Sequence, residues 1–390
     1  MERNEVPVDE VQAQKRRIPS HRIPSLDGMR AVAILMVIAL HLTQRYRVVN
    51  THTAKGLVLY FLFGLGGDGV GIFFVLSGFL ITTLLLREQE KTGRVSLADF
   101  YLRRTFRILP PLYAYLLFVI AFCVAIHTPL HLATILGSAL FYRNYVPGDA
   151  QWFTEHTWSL CVEEQFYLLW PLLFLLAWRR GGRRAAGWCA AVLIVATPVL
   201  RVATKLAFPH VHHLDEMLHG RMDALMAGCL AAILIGTRPF ESFYTRVVAR
   251  IWWLLPLEFL VFSGAATLAA GVNYHNSIGF TIDSLCIALF LVWVSRNAEH
   301  WVGRILNWQP VVWIGVLSYS AYLWQTFFIH TDNPTRAKAM PWGFFLIWIA
   351  AALSYFVVEQ PSLRMRKRIE ARRTGHPGLS PLAPAPSGRE

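Results

Sequence analysis

Apolar segments that approach the thickness of a bilayer recur along the whole chain. They fall at roughly 29–45, 70–87, 108–127, 163–178, 186–205, 222–236, 252–271, 277–295, 311–330 and 341–358. A straight helix needs about 20 such residues to cross the hydrocarbon core. The expected fold is therefore all-α, a polytopic transmembrane helix bundle of about ten spans. A soluble domain carries about a quarter charged residues. Here only 16% of the 390 residues are charged and 55% are hydrophobic, which argues against a pair of soluble domains. The short apolar run at 132–142 is read as lying outside the membrane or as re-entrant.

The formal net charge is +13, and its distribution indicates topology rather than nucleic-acid binding. With the N-terminus placed in the cytoplasm, the inside segments hold 27 lysines and arginines and the outside loops hold 7. Arg30, Arg201 and Lys205 lie within or at the edge of spans. This bias obeys the positive-inside rule, so both termini are expected in the cytoplasm. Residues 1–24 form a polar segment, expected to be disordered, without the apolar core of a cleaved signal peptide. Residues 25–365 form the membrane domain. Residues 366–390 are basic and then rich in Pro, Gly and Ser, as in a disordered tail. The expected location is the cell (inner, cytoplasmic) membrane. The five cysteines are scattered and form no CxxC, which fits small core residues better than a disulfide framework or a zinc knuckle.

Ionisable groups inside spans cost about 2.5–3.5 kcal/mol each on insertion scales and are functional candidates. In "LDGMRAVAILMVIALHL", Arg30 and His41 are eleven residues apart, which aligns them on one helix face about 16 Å apart along the axis. A partly desolvated His41 stays neutral and keeps one nitrogen free as a base; alternatively it is an interfacial histidine bonded to a loop carbonyl. Asp27 is spaced to pair with Arg30 or to cap the helix. Asp68 stands at the outer mouth of the second span, at the level expected for His41, and either orients that ring or caps its own helix. Ser77, mid-membrane, is expected to bond a backbone carbonyl.

In "FYLRRTFRILPPLY", Arg104 and Arg107 face one way if the segment is helical. Pro110 disfavours helix at Leu109, so the arginines are expected on a turn at the membrane surface. Such a guanidinium pair suits a multiply charged phosphate ligand such as the nucleotide end of coenzyme A, or lipid headgroups. Glu163 and Glu164 open the fourth span about 100° apart, so one faces the bundle while the other faces away. His156 and Trp158 precede them and are placed to meet an acceptor. The histidine-rich loop at 206–221 has no recognised metal spacing, and no metal is expected.

Taken in order, these motifs resemble the acyltransferase-3 family of integral-membrane O-acyltransferases over about residues 24–365. The resemblance is carried by Arg30-x10-His41, "GVGIFFVLSGFLIT", "YLRRTFRILPPLY", "HTWSLCVEEQFYLLWP", "RMDALMAG" and "LSYSAYLWQ". It adds Ser159, Arg221, Asp223 and Tyr322 as motif positions. It implies transfer of an acyl group, often acetyl, from cytosolic acyl-CoA to a hydroxyl on a glycan, a lipid-linked sugar or a small metabolite such as a macrolide. His41 is then the catalytic residue and Glu163 the second acid, with Glu164 next in line; in the mechanism expected here a neutral His41, oriented by Asp68 or Glu163, is the general base, with an acyl-histidine relay as the variant. Arg30, Arg104 and Arg107 serve the donor. Gln325 stands where family members often have histidine, so a histidine role there does not transfer. The absence of a fused extracytoplasmic hydrolase-like domain leaves the acceptor class open. A proton-coupled transporter using His41, Asp68 and Glu163 is the rival from another class.

Overall fold

The computed structural model of the protein describes residues 24–46, 53, 56, 67–146, 151–211, 213–330, 332–333 and 341–374. The expected N-terminal segment and the Pro-rich end of the tail lie outside these residues. Among the described residues there are helices and turns but no strand. The principal helices are α1 (Pro24–Tyr46), α2 (Gly67–Thr92), α3 (Leu97–Ala125), α4 (Leu132–Ala139) and α5 (Thr157–Ala207). They continue with α6 (Leu218–Leu234), α7 (Arg238–Ile251), α8 (Leu254–Ala270) and α9 (His275–Arg296). The last are α10 (Trp301–Leu306), α11 (Gln309–Ile329) and α12 (Trp342–Arg372).

Seven of these helices are long and apolar enough to cross a membrane, or eight if the bent pair α6–α7 counts as one span. Three physical features separate this number from the ten apolar segments. The 51-residue α5 takes up two segments, breaking at Gly181 and Gly182, where φ of +59° at Gly182 suits a residue without Cβ. The α6–α7 pair turns through 100°. The third is α8, which is short and carries a wide turn at Glu258–Phe262. The run at 132–142 becomes the eight-residue α4. Along α5, Leu168, Leu172 and Leu176, and past the kink Val192, Val195 and Val199, stay exposed. Apolar stripes of that length need lipid to cover them, and the chain is a multi-pass membrane protein.

The proline reading requires correction. α3 runs unbroken through Pro110 and Pro111, so Arg103, Arg104 and Arg107 sit on a helix body and not on a turn. Pro110 has no N–H to give the carbonyl of Phe106, four residues back. Ser362 of α12 supplies the missing donor, its Oγ lying 2.7 Å from that carbonyl. The distant serine satisfies the group that would otherwise end the helix.

Close approach of α2 and α6 holds the centre together. Gly78 lies against the carbonyl of Leu225, and Gly228 lies reciprocally against the carbonyl of Val75. A Cβ at either position would collide with backbone, which cannot move aside as a side chain can. Without a hydrophobic drive between helices in lipid, such small-residue contacts supply much of the packing. On the other flank of α2, α1 lies against both α2 and α11, with Gly315 of α11 against the carbonyl of Asp27.

Between α5 and α6 a short turn, Leu214–Glu216, folds back over the bundle. Burial pushes the Glu216 carboxyl up to about 7, opposed by His213 at 3.1 Å and reinforced by Asp215. Two outcomes follow from these contacts. Gly78→Val should cost about 3 kcal/mol, read as a lowered thermal unfolding midpoint in detergent. Glu216 binds its proton more tightly folded than unfolded, so stability should fall as pH rises from about 4.5 to about 7. Glu216→Gln should flatten that pH dependence of the midpoint, and an unchanged slope would contradict the assignment.

Candidate active site

Two cavities meet at the arginines of α1 and α3. The larger, about 440 Å³, is a vestibule lined by Arg30, Arg87, Arg104, Arg107 and, from α12, Glu359. The smaller, about 90 Å³, lies deeper and shares Arg30, Leu80, Arg104 and Arg107 with it. Its remaining polar wall comes from Ser77 of α2, from Ser159, Glu163 and Tyr167 of α5, and from Ser318, Tyr319 and Tyr322 of α11. Residues 159, 163 and 167 are four apart, so one face of α5 turns all three inward.

Glu163 is the centre of this cavity. Ser77 Oγ donates to its Oε1 at 2.7 Å, which corrects the expectation of a serine bonded to backbone. The Tyr167 hydroxyl lies 3.2 Å from Oε2 and 2.9 Å from Ser77 Oγ, so its one proton is shared between them. The Arg104 guanidinium stands over the Tyr167 ring at 5.0 Å. Arg104 and Arg30 act on this carboxyl electrostatically. Glu164 points elsewhere, into a separate cleft of about 270 Å³ with Tyr101, Arg104 and Gln165. The pair of adjacent acids therefore divides as helical geometry requires. At the mouth, Arg30 pairs with Asp27 at 3.2 Å.

Hydrogen bonds run from the cavity wall as far as the backbone of His156. The Tyr322 hydroxyl donates to the carbonyl of His156 at 2.5 Å and so accepts from Ser159 Oγ at 2.6 Å. His156 is buried between the rings of Tyr115 and Tyr322, and among the described residues neither ring nitrogen has a hydrogen-bond partner. Trp158 packs edge-on against Phe74. His41 Nδ1 lies 3.0 Å from the carbonyl of Val37. A carbonyl only accepts, so Nδ1 carries the proton and Nε2 keeps its lone pair. The groups facing the ring are Glu155, His330 and Gln325. Gln325, which replaces the family's frequent histidine, is fully buried there. His330 stacks on Trp152 with its Nε2 3.7 Å from Glu155.

Asp68, Arg221 and Asp223 are not in this group. Asp68 faces Asp283, Arg221 and Glu258, on the opposite side of α2 from Ser77. The groups facing His41 and those facing Asp68 form two separate sets. Nine residues of helix turn through 900°, which places positions 68 and 77 on opposite faces. Asp223 accepts from Arg201 at 2.8 Å and from Thr281 at 2.5 Å. Arg201 also donates to the carbonyls of Gly220 and Ser277. Arg221 lies over the Phe280 ring at 3.9 Å. This fully buried network ties α5, α6 and α9 together. Sequence reasoning missed Arg201 as a partner for Asp223, although an arginine within a span was the signal. It missed Tyr167 too, whose four-residue spacing from Glu163 was visible. Arg87 and Glu359 offered no local signal.

The family model for the acyltransferase domain of acyltransferase-3 matches residues 23–359. The peptidoglycan O-acetyltransferase OatA of Listeria monocytogenes is 29% identical over 381 residues, covering 87% of this chain and 55% of that protein. The putative peptidoglycan O-acetyltransferase YrhL of Bacillus subtilis is 29% identical over 372 residues, with the same coverage. The putative O-acetyltransferase SACOL0978 of Staphylococcus aureus is 27% identical over 369 residues, covering 87% of this chain and 57% of that protein. The chain thus spans a little over half the length of these relatives. No solved structure matches it. With a family model matched over most of its length, the chain belongs to the acyltransferase-3 family of membrane acyltransferases.

Proposed function

We propose that this protein moves an acyl group, acetyl first, from cytosolic acyl-CoA to a hydroxyl of a cell-envelope glycan or its lipid-linked precursor. The observation that carries this reading is the junction of the two cavities. Four arginines surround a vestibule large enough for a phosphorylated headgroup, and it narrows into the cavity around Glu163. Guanidinium groups bind phosphate oxygens with paired, charge-assisted hydrogen bonds. Arg104 and Arg107, with Arg30 and Arg87, hold the nucleotide end of the donor. The thin pantetheine arm then enters the deeper cavity, and Glu163, fixed by Ser77 and Tyr167, orients the thioester.

The proton traffic in this proposal balances without another co-reactant. His41 Nε2 takes the proton of the acceptor hydroxyl, and the oxygen attacks the thioester carbonyl. The carbon–sulfur bond breaks, and the proton held by His41 ends on the sulfur of coenzyme A. General-base help of this kind is worth about 10²–10⁴-fold. An acyl-histidine intermediate is the stepwise variant, in line with a donor end and His41 about 16 Å apart along α1. The similarity to peptidoglycan O-acetyltransferases favours a glycan acceptor over a small metabolite. The same proposal sets both termini in the cytoplasm of a bacterial plasma membrane, with ten crossings when α5 crosses twice at its glycine kink and the bent pair α6–α7 and the short α8 each cross once.

Purified protein given labelled acetyl-CoA and a peptidoglycan fragment should release free thiol and labelled glycan in equal amounts. His41→Ala should lower kcat by at least about 100-fold, and transfer at near wild-type rate would remove His41 from the chemistry. Arg104→Ala and Arg107→Ala should each raise KM for acetyl-CoA about tenfold or more, in keeping with loss of a charged hydrogen bond. KM for the acceptor should stay close to its wild-type value. Substrate flux across liposomes without thiol release would support the transporter instead.

A further inference from the structure

The wall of the deeper cavity changes character along its length. Val70, Phe73, Ser77 and Leu80 of α2 all line it, and their spacing puts them on one helix face. Leu80 is shared with the arginine vestibule, and Ser77 holds Glu163. Beyond Ser77 the α2 wall is apolar, with Phe73 about 6 Å and Val70 about 10 Å further along the axis. Neither lines the vestibule, so they mark the far end of the cavity. Their burial fits this placement. Both are half-buried, while the neighbouring Ile72, Phe74, Val75 and Leu76 are fully buried.

Three rings stand at that end, and they are not equivalent. Tyr322 is fixed by its hydrogen bonds with the His156 carbonyl and Ser159 Oγ. Phe74 is fully buried, with Trp158 edge-on to it and the Arg221 guanidinium 5.7 Å from its ring centre. Phe73 meets Tyr322 edge-on at 6.3 Å and keeps part of its surface on the cavity. It also packs against a small apolar cluster that includes Ile34, Val37 and Ile38 of α1 and Ala321 of α11. Phe73 therefore stands between the Glu163 cavity and that cluster. Val37 in turn lies one helical turn before His41.

Space at this end is short. An apolar cavity of about 150 Å³ accepts one benzene, with its six heavy atoms. By the same measure a cavity of about 90 Å³ takes about four. An acetyl thioester supplies that number in its methyl carbon, carbonyl carbon, carbonyl oxygen and sulfur. Each further methylene has to displace a side chain, which a close-packed interior resists.

We propose that Phe73 sets the acyl chain length this protein accepts, its ring acting as the stop that admits acetyl and excludes butyryl and longer chains. The inference rests on the donor path of the proposed function, with the thioester beside Glu163 and the acyl end directed along α2. Truncating the ring opens the cavity toward Ile34, Val37 and Ile38, an apolar lining suited to additional methylenes. It uncovers no buried polar group, because Tyr322 keeps both of its hydrogen bonds.

The test gives the purified full chain, in detergent and with a peptidoglycan fragment, a series of acetyl-, propionyl-, butyryl- and hexanoyl-CoA. Thiol release and acylated glycan are both measured. One methylene in an apolar pocket changes kcat/KM by about 10–200-fold. Wild type should therefore use butyryl-CoA at least about 100-fold less well than acetyl-CoA. Phe73→Ala should raise kcat/KM for butyryl-CoA at least about tenfold and shift the preference to longer chains, with KM for the acceptor close to its wild-type value. Phe73→Leu keeps more of the volume and should fall between the two, and it carries the test if the alanine variant fails to fold. A parallel loss on every donor, with the chain-length profile unchanged, would make Phe73 a packing residue only and overturn the proposal. Equal use of acetyl- and hexanoyl-CoA by wild type would overturn it as well. Absence of thiol release from every donor is a different failure, which removes the donor reading itself and this inference with it.

Discussion

A carboxyl group in the middle of an apolar bundle has to be held, and the way Glu163 is held organises the rest of the candidate site. Ser77 donates from α2, Tyr167 from one turn along α5, and Arg104 from α3 covers the tyrosine ring. These contacts require α2, α3 and α5 to meet at one depth. The Gly78–Gly228 contact makes that meeting possible on the far side of α2 by letting α6 approach to backbone distance. Breaking any of these contacts leaves a charge or a polar group in a medium where its isolation is costly.

The same economy explains why charged residues occur in sets. The vestibule arginines repel one another unless an anion lies among them, and Asp27 and Glu359 answer only part of their charge. At the other centre Arg221 meets the carboxylates of Asp223, Asp215 and Asp68, with Arg201 beside it. A donor rich in phosphate suits the imbalance in the vestibule. Both centres draw on α2, which offers Ser77 to one and Asp68 to the other from opposite faces.

Much of this was legible in the chain. Periodicity aligned Arg30 with His41 and split Glu163 from Glu164, because both inferences depend only on 100° per residue. The all-helical fold followed from the length of the apolar segments. Misreadings arose where a distant residue decided the outcome. Pro110 looked like a helix end until Ser362, 256 positions away, supplied a donor to Phe106. Asp68 stood at the right depth for His41 but on the wrong face, since hydropathy sets how deep a residue lies and not which neighbour its helix turns toward. Ser77 had a backbone carbonyl within reach of any helix, and only the fold brought Glu163 closer. Arg87 and Glu359 gave no local signal because only the fold brings α2 and α12 to one cavity wall.

The central claim is that donor binding and acyl delivery share one path, from the arginine vestibule into the Glu163 cavity. A structure by electron cryomicroscopy with a non-hydrolysable acetyl-CoA analogue tests it most directly. The account predicts density for the diphosphate against Arg104 and Arg107, with the acyl end beside Ser77, Glu163 and Tyr167 and directed toward His41. Density entering from the side of Glu155 and His330, or resting on the bundle without passing the arginines, would contradict it.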